Sequence, residues 1–493
     1  MTYLVPTETP KSYDRQNWQR GYQSQSTEYD YWVEDIEGEI PLALRGTLFR
    51  NGPGLLSIGG TNLAHPFDGD GMISAIGFEG GRVHYRNRFV RTQGYVEEQQ
   101  AGKILYRGVF GTQKPGGWLA NCLDFRIKNI ANTNVIYWGG KLLALWEAAL
   151  PHRLDPQTLE TLGLDTLGGI LEKTGAFSAH PRFDPSCSFA DGQPCLVNFS
   201  LKPGLSTTIT LYELAADGSL LRSHVHSLPG FAFIHDFAIT PHYCLFLQNA
   251  VTFNPLPFLL GWRGAGECVQ FHPQRPAQVA IIPRQPLYRP LKLLKTPAGF
   301  VFHHANAFEE GGAIYFDSIC YGALPAVEPG TDYQQVEFES LSPGQLWRFR
   351  IDLATEQIDG KILEPRCCEF PTLNPQHSGR PYRYLYLGAA HAPTGNAPLQ
   401  ALLKLDLKTG DRQLQSFAPQ GFVGEPVFVH KPGAIAEDEG WVLSVIYNSA
   451  RHASDIVILD AQTWKQVAVA RLKHHIPYGL HGSWCEERFT PER

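Results

Sequence analysis

The chain has 493 residues, of which 43% are hydrophobic and 18% charged, and its formal net charge at pH 7 is −6. These values describe a folded globular protein that is neither disordered nor nucleic-acid binding. Nine cysteines show no Cys-X-X-Cys spacing, and the first residues lack the basic and apolar regions of a signal peptide, so we expect a cytoplasmic protein with free thiols. The sequence holds no run of about 18 apolar residues that would predict a membrane-spanning helix.

The first 40 residues are polar and aromatic, with Trp18, Tyr29 and Trp32 among them. We expect them to form an arm that wraps over the surface of a single domain spanning residues 1–493. After residue 46 the chain consists of short β-rich runs separated by Gly, Pro and Asp, and it contains 48 Gly and 36 Pro. Because long helical periodicity is rare, the sequence predicts an all-β protein.

A weak repeat of strand, polar turn and second strand recurs along most of the chain. Its clearest copies turn at Asp352, Asp406 and Asp460, which are 54 residues apart. Looser copies lie at Gly77–Val83, His152–Thr158, Thr210–Leu214 and Val269–Pro273. Seven such units predict a seven-bladed β-propeller, because each small sheet buries its faces only against its neighbours. The alternative is a set of unrelated hairpins that share turn chemistry.

Histidines and glutamates recur where the inner strand of each blade would run. Inner strands converge on one axis, so residues that are distant in sequence meet there. Neutral imidazoles suit iron, zinc, copper or nickel, and the second ring nitrogen of each ligand favours a carboxylate partner. The sequence therefore predicts a metal site with histidine ligands and carboxylates behind them. The ligands are His180, His235, His303 and His481, and the carboxylates are Glu369 and Glu425.

The alternative for these residues is chance, since the chain has 18 histidines and some must fall on inner strands. We expect another group of histidines to lie at the surface or rim. These are His65, His152, His377, His391, His474 and His475.

Several motifs together resemble the carotenoid cleavage oxygenases, a family that also includes stilbene-cleaving enzymes and a retinoid isomerohydrolase. The motifs are Arg50-Asn51-Gly52-Pro53, Phe67-Asp68-Gly69-Asp70-Gly71-Met72, Asn132-Thr133, His180-Pro181, His235-Asp236, Phe302-His303 with Asn306, Glu369, Gly424-Glu425-Pro426 and His481-Gly482. The resemblance implies a seven-bladed propeller with a cap of helices and loops, and an iron(II) ion bound by four histidines near the axis. It also implies that His303 rather than His304 is the ligand, and that Glu147 is a third carboxylate.

The resemblance further implies an enzyme that uses O₂ to split a conjugated C=C bond into two carbonyl fragments. We expect cleavage of the central 15,15' bond of an apocarotenal, which gives retinal and a shorter aldehyde. The substrate tunnel implied by the family has Thr133 near the open metal position and aromatic walls. The walls are Phe67, Trp146, Phe233, Phe302 and Tyr321. The alternatives are a stilbene-cleaving or isomerising member of the family and a non-enzymatic lipid-binding propeller.

The segment from Val251 to Trp262 has too many large apolar residues for an ordinary loop, and its prolines exclude a central strand. Because carotenoids are found in membranes, we expect a monomer that binds membranes peripherally through an apolar patch at the tunnel mouth. The patch comprises Phe253, Leu256, Phe258, Leu259, Leu260 and Trp262, with Trp118 and Leu119 beside it. A buried loop between blades is the alternative.

Overall fold

The computed structural model describes residues 12–285, 290–297, 299–325, 330 and 332–491. Its sheets form the seven blades of a β-propeller, which confirms the predicted all-β architecture. In blades 2 to 6 four antiparallel strands follow one another in chain order, whereas blades 1 and 7 combine strands from both ends of the chain. The first strands of neighbouring blades contact one another, which places them around the axis.

The strands of each blade are given from the axis outward. Blade 1 contains Gly482–Cys485, Gly46–Arg50, Asp70–Glu79, Arg82–Phe89 and Asp30–Trp32, with Pro53–Leu55 paired to Asp70–Glu79. Blade 2 contains Asn134–Trp138, Lys141–Leu145, His152–Leu154 and Thr161–Leu164. Blade 3 contains Arg182–Asp184, Cys195–Lys202, Ser206–Ala215 and Leu220–Pro229. Blade 4 contains Ala238–Ile239, Tyr243–Gln248, Ala277–Pro283 and Lys292–Thr296.

The remaining blades follow the same rule. Blade 5 contains Phe300–Glu310, Ala313–Tyr321, Gln345–Asp352 and Ile358–Glu364. Blade 6 contains Cys368–Thr372, Tyr384–Ala390, Leu399–Asp406 and Arg412–Ser416. Blade 7 has a first strand in two pieces, Gly421–Val423 and Val427–His430, followed by Gly440–Asn448, Ala453–Asp460, Gln466–Arg471 and Asp35–Gly38.

The two faces of the propeller differ because the strands alternate in direction. Every first strand begins at one face, called here the upper face, and the connections between second and third strands and between blades return to it. The helical segments of these upper connections form the predicted cap. They are Gln93–Ala101, Gly117–Asn121, Leu256–Leu259, Pro66–Asp68, Gly266–Cys268, Tyr333–Gln335 and Phe338–Ser340. Two small hairpins join them, Ser57–Ile58 with Thr61–Asn62 and Val251–Phe253 with Val269–Phe271.

Aspartate turns at the opposite, lower face explain the repeat. Asp352, Asp406 and Asp460 each end the third strand of a blade, and Asp155 directly follows one. Each side chain accepts hydrogen bonds from backbone N–H groups two or three residues further on. The copy at Val269–Pro273 is a wrong prediction, because its strand belongs to the small hairpin in an upper connection of blade 4. A short strand followed by a polar turn looks the same in either place.

Hydrophobic clusters fill the spaces between adjacent blades. Val197 and Phe199 of blade 3, for example, pack with Phe246 and Ile282 of blade 4. Each blade thus buries its faces against its neighbours, as the repeat predicts. No helix among the described residues is long and apolar enough to cross a bilayer.

The N-terminal arm adds strands to two blades. Asp30–Trp32 pairs with the outer strand of blade 1, and Asp35–Gly38 pairs with that of blade 7. Before them, the helix Arg15–Arg20 buries Trp18. Residues 1–11 of the expected arm lie outside the described residues.

Three histidines that we expected at the surface or rim are buried instead. His474 stacks on Tyr29 of the arm with ring centroids 3.9 Å apart, and Nε2 of His475 donates to the carbonyl oxygen of Gln23 at 2.9 Å. His152 is covered within blade 2. The arm therefore buries His474 and His475, which follow the strand Gln466–Arg471 of blade 7. The sequence around these two histidines does not indicate that the arm covers them.

Pairing between the two ends of the chain closes the ring. Gly46–Arg50 pairs with Gly482–Cys485, and Arg50 lies opposite Gly482. Beyond the strands, the backbone N–H of Asn51 donates to the carbonyl oxygen of His481 at 2.8 Å. Closure thus fixes the backbone of a predicted metal ligand.

We expect Gly482→Ala to disturb this closure, because an added Cβ would lie 2.0 Å from the carbonyl oxygen of Phe49. The free energy of unfolding should fall by about 3 kcal/mol, as for overpacking that moves the backbone, and the metal content should fall with it. Urea unfolding and metal analysis measure these effects. Gly479→Ala is the matched control, since its nearest atom would be 3.3 Å away. Equal losses in both variants would contradict this explanation.

Candidate metal centre

Four histidines from four blades meet at the upper end of the axis. His180, His235 and His481 shortly precede the first strands of blades 3, 4 and 1, and His303 lies within the first strand of blade 5. One ring nitrogen of each lies within 4.8 Å of those of the other three. The structure therefore brings together all four predicted ligands.

The separation of the ring nitrogens fits a single metal ion. Nε2 of His235 lies 2.9 Å from Nε2 of His180 and 3.2 Å from Nε2 of His303. Two imidazole nitrogens bound at about 2.1 Å and at right angles to each other would be about 3 Å apart. The four imidazoles form a metal site, and an all-nitrogen donor set suits iron, zinc, copper or nickel.

Three of the four histidines present their other ring nitrogen to a glutamate, and these are the three predicted carboxylates. The Nδ1–oxygen distances are 2.5 Å for His235 and Glu147, 2.6 Å for His303 and Glu369, and 2.8 Å for His481 and Glu425. Such pairing keeps the proton on Nδ1 and leaves Nε2 free to face the centre. Glu147 follows the second strand of blade 2 rather than an inner strand, which explains why strand spacing does not predict it.

The two less exposed glutamates, Glu369 and Glu425, have further partners. Arg50 forms an ion pair with Glu425, and the hydroxyl of Tyr321 donates to Glu369 at 2.7 Å. Burial alone would raise the pKa of Glu425, but His481 and Arg50 outweigh it and lower the pKa to about 2. Glu425 therefore stays ionised and continues to orient its histidine.

Burial favours the neutral form of two of the imidazoles, which is the form that binds a metal. It lowers the pKa of His180 well below the ordinary value, and the neighbouring imidazoles lower it further. Burial also lowers the pKa of His481, against the opposing charge of Glu425. In His303 the burial effect is outweighed by the charge of Glu369, so the pKa is raised. Since a metal binds only the neutral ring, the low pKa values of His180 and His481 favour binding.

Two β-bulges point the adjacent histidines of blade 5 in different directions. The register of its first two strands shifts between Val301 and His304 and again between His304 and Asn306. His303 faces the cluster, whereas Nδ1 of the buried His304 lies 2.7 Å from Oγ of Ser318. Burial lowers the pKa of His304 to about 4. His304 is thus a neutral residue of the blade interior.

Three predicted tunnel residues form an aromatic wall beside the cluster. The ring centroid of Phe302 lies 5.6 Å from His235, 5.9 Å from Tyr321 and 6.5 Å from Phe233. The side chain of Glu147, on the other side of His235, is 37% exposed. The surroundings of His235 are therefore the more exposed side of the site.

The other three predicted tunnel residues lie in upper connections. The carbonyl oxygen of Thr133 accepts a hydrogen bond from the backbone N–H of His481 at 3.0 Å, so Thr133 borders the site. Trp146 is buried, and Phe67 is 39% exposed, with its ring 5.5 Å from that of Phe110. All three therefore lie on the face of the propeller that carries the cap.

Residues 22–486 match a family model described as retinal pigment epithelial membrane protein. The chain belongs to this family, the carotenoid cleavage oxygenases. It is 60% identical over 99% of its length to the full length of the apocarotenoid-15,15'-oxygenase of Synechocystis sp.. It is 32% identical to the isoeugenol monooxygenase of Pseudomonas putida, over 91% of this chain and 94% of that protein. The crystal structure of the cobalt-substituted Synechocystis oxygenase superimposes with a TM-score of 0.95 at 61% identity, covering 96% of this chain and 99% of that one.

These likenesses confirm the predicted family, fold and enzyme class.

Two further residues contact the metal site of this carotenoid cleavage oxygenase, and the sequence predicted no role for either of them. Phe370 packs with its ring 5.5 Å from His481 and 5.9 Å from His303, and its φ of 54° is rare for a residue other than glycine. Arg50 donates to the carbonyl oxygen of Leu480 at 2.8 Å and pairs with a carboxylate 375 residues away. The one sequence signal near Phe370 is the proline that follows it, which indicates an interrupted strand. No sequence feature near Arg50 indicates that its partner is Glu425.

We expect Arg50→Met to weaken metal binding, because it leaves Glu425 buried without its cation. The pKa of Glu425 should rise, so that the carboxylate orienting His481 is more readily protonated. Loss of such outer partners typically lowers metal affinity about 10- to 100-fold, which competition with a chelator measures. Arg348→Met, which removes an ion pair with Asp317 in blade 5, is the matched control.

The same variant should be more sensitive to acid. Because folding lowers the pKa of Glu425, its ionised form stabilises the folded protein at pH values above the ordinary glutamate pKa of 4.5. This contribution is lost as the pH falls toward 2. Acid unfolding of Arg50→Met should therefore begin at a higher pH than in the parent protein. Equal metal affinity and acid stability in the two proteins would show that Arg50 does not act through Glu425.

Proposed function

We propose that this protein is a non-haem iron(II) dioxygenase that cleaves the central 15,15' double bond of apocarotenals with O₂, giving retinal and a shorter aldehyde. The observation that carries the proposal is a four-histidine metal site with an aromatic wall beside it. The identity of 60% to an apocarotenoid-15,15'-oxygenase supports the substrate class. Iron suits an all-imidazole site, and bound iron(II) would supply the redox chemistry that lets O₂ react with a polyene.

The residues of the chain have three tasks in this reaction. Phe233, Phe302 and Tyr321 present apolar ring surface along the open side, where a rigid polyene would pack with one double bond beside the metal. The half-buried rings also exclude water from the reacting carbons. The glutamate partners hold the Nδ1 protons of His235, His303 and His481 in place, so that these imidazoles stay neutral and fixed while the substrate reacts.

Tyr321 favours a polyene over a phenolic stilbene as substrate. Its hydroxyl is the polar group of the aromatic wall, and it already donates its proton to Glu369 at 2.7 Å. A phenol bound beside it could donate to the tyrosine oxygen, but it could not accept the tyrosine proton, which is already engaged. The wall therefore presents mainly apolar surface, which matches a hydrocarbon chain.

Incubation of the iron-loaded enzyme with an apocarotenal in air is expected to give retinal and the complementary aldehyde, measured by chromatography and mass spectrometry. The reaction should stop without O₂, because each new carbonyl takes its oxygen from that molecule. A redox-neutral isomerase would continue anaerobically. A phenolic stilbene offered in parallel should be turned over at least about tenfold more slowly.

His235→Ala should lose bound iron and lower turnover by at least about 100-fold, since it removes a ligand and leaves Glu147 without its hydrogen-bond partner. His391→Ala, at an exposed position outside the site, is the matched control and should keep both. A native protein that is fully folded, contains no iron and turns over none of these substrates would rule out the proposed function in favour of a binding propeller.

We also propose that an apolar patch on the upper face binds the enzyme peripherally to membranes, from which it takes its substrate. Leu256 and Trp262 of the predicted patch are exposed, as are the neighbouring Trp118 and Leu119. The other predicted members, Phe253, Phe258, Leu259 and Leu260, are half-buried. Exposed Leu123 and Phe125 enlarge the same surface.

A buried arginine ties the two segments of the patch together. Arg107 donates to the carbonyl oxygens of Asp124 and Phe258, both at 3.0 Å, and its guanidinium lies 4.1 Å from the ring centroid of Phe258. In addition, the backbone N–H of Leu123 donates to the carbonyl oxygen of Leu259 at 2.9 Å. The patch is thus one preformed surface rather than two independent loops.

Leu256→Ser combined with Trp262→Ser should lower the fraction of enzyme that sediments with phospholipid vesicles by about tenfold or more, because each change removes a large apolar group from the lipid contact. Ile435→Ser, which alters an even more exposed apolar residue in a lower-face connection of blade 7, is the matched control. Unchanged sedimentation of the double variant would exclude this patch as the membrane contact. Turnover of substrate in detergent should be the same for all three proteins.

A further inference from the structure

Two buried cysteines meet at the lower face of blade 3, far from the upper ends of the first strands where the metal site lies. Cys187 and Cys195 bracket the connection between the first and second strands of this blade. Their sulfur atoms and a carboxylate oxygen of Asp184 all lie within 4.8 Å of one another. Both cysteines are fully buried.

The backbone of this connection holds the two cysteines together. The N–H of Cys187 donates to the carbonyl oxygen of Gln193 at 3.0 Å, and the N–H of Gly192 donates to the carbonyl oxygen of Cys187 at 3.0 Å. Cys195 pairs opposite Asp184 at the end of the first strand. A disulfide requires a sulfur–sulfur distance of about 2.05 Å, so the two sulfurs are within reach of bond formation by side-chain rotation and a small movement of the turn.

The charges around the sulfurs favour a thiolate over a bound metal cation. The guanidinium of Arg284 contacts both sulfurs, at 3.8 Å from Cys187 and 3.7 Å from Cys195. Asp184, the third group that a cation could use, already pairs with Arg284 at 2.7 Å and with Arg380 at 2.8 Å. Two arginines would repel a metal ion from this cluster, whereas one of them stabilises a negative sulfur.

Cys187 is the better nucleophile of the two. The adjacent Cys195, together with the charge of Arg284, outweighs burial and the opposing carboxylate of Glu213, which lies 3.9 Å from the sulfur, and lowers the pKa of Cys187. The same contact raises the pKa of Cys195, which burial raises further. By contrast, burial raises the pKa of Cys244, elsewhere in the same core, to about 12.

We propose that Cys187 and Cys195 form a peroxide-oxidisable dithiol that closes to a reversible disulfide. The thiolate of Cys187 attacks one oxygen of hydrogen peroxide; an S–O bond forms, the O–O bond breaks, and the hydroxide released takes up a proton to become water. The sulfur of Cys195 then attacks the sulfenic acid; the S–S bond forms, the S–O bond breaks, and the leaving oxygen departs as a second water with the proton of Cys195. Two thiols are oxidised by two electrons while one peroxide is reduced to two waters.

A shallow cover separates the pair from solvent. Ser186 and Ser188, on either side of Cys187, are exposed, and so are Asp191 and Gly192 across the turn. Local opening of this surface connection is therefore enough to admit a small oxidant, without unfolding of the blade. Once formed, the disulfide closes a short loop and restricts the unfolded chain, so the oxidised protein should be the more stable form.

Peptide mapping under non-reducing conditions tests the proposal on the full-length, metal-loaded protein after treatment with hydrogen peroxide. We expect a peptide pair joined through Cys187 and Cys195, lighter by two hydrogens than its separate parts and restored by dithiothreitol, and a higher melting temperature before reduction than after it. Cys122 is the internal control, because it is the one cysteine among the described residues that is not buried. Its oxidation shows that peroxide has reacted with the protein. Oxidised Cys122 with Cys187 and Cys195 still reduced would overturn the proposal, and so would pairing of Cys187 with Cys244.

Two variants separate the steps. In Cys195→Ser the sulfenic acid of Cys187 should persist and be trapped by dimedone, whereas Cys187→Ser should leave Cys195 unlabelled. Cys244→Ser, a buried cysteine outside the pair, should still form the disulfide. Unchanged metal content identifies variants that remain folded, and labelling of Cys195 in Cys187→Ser at the rate seen for Cys187 in Cys195→Ser would contradict the assigned order. None of these outcomes depends on which substrate the enzyme cleaves.

Discussion

The pairing of Gly46–Arg50 with Gly482–Cys485 is the constraint on which both fold and metal site depend. Blades 3, 4 and 5 are adjacent in the ring, so packing between neighbours is sufficient to place three of the histidines. His481 follows the last full blade, and only closure brings it to the other three. The same closure buries Leu48 and Ile76 against Leu443 of blade 7. Because a metal would bind only the closed ring, metal binding and closure must stabilise each other.

The carboxylates behind the histidines divide the site into a fixed side and an open side. Glu425 pairs with Arg50 and Glu369 with Tyr321, and both are largely enclosed. Glu147 belongs to an upper connection and is more exposed than either. The enclosed pairs hold their imidazoles through charge in a region of low dielectric, where such interactions are strong. The side of Glu147 and His235 is the more exposed one, and the apolar rings of the aromatic wall lie beside it.

Strand periodicity and turn chemistry suffice to predict the propeller and most of the site, because a propeller places every first strand at the axis. His180, His235, Glu369 and Glu425 all lie at predicted inner strands. The copy at Val269–Pro273 fails because a hairpin in a connection has the same local pattern as one in a blade. The ion pair of Arg50 is not predictable in this way, since its partner is brought near only by ring closure. The burial of His474 likewise depends on an arm from the opposite end of the chain.

The division between strands and connections also explains how one metal site can serve several chemistries. The ligands stand on or beside inner strands, whose positions are dictated by packing between blades and tolerate little change. Trp146, Phe67 and the apolar patch stand in upper connections, which can vary in length and sequence without disturbing the ring. A protein named for isoeugenol and another named for apocarotenoids both match this chain over most of its length. The choice of substrate must therefore be made by the aromatic wall and the cap together, while the histidines and their carboxylates determine that a metal is held.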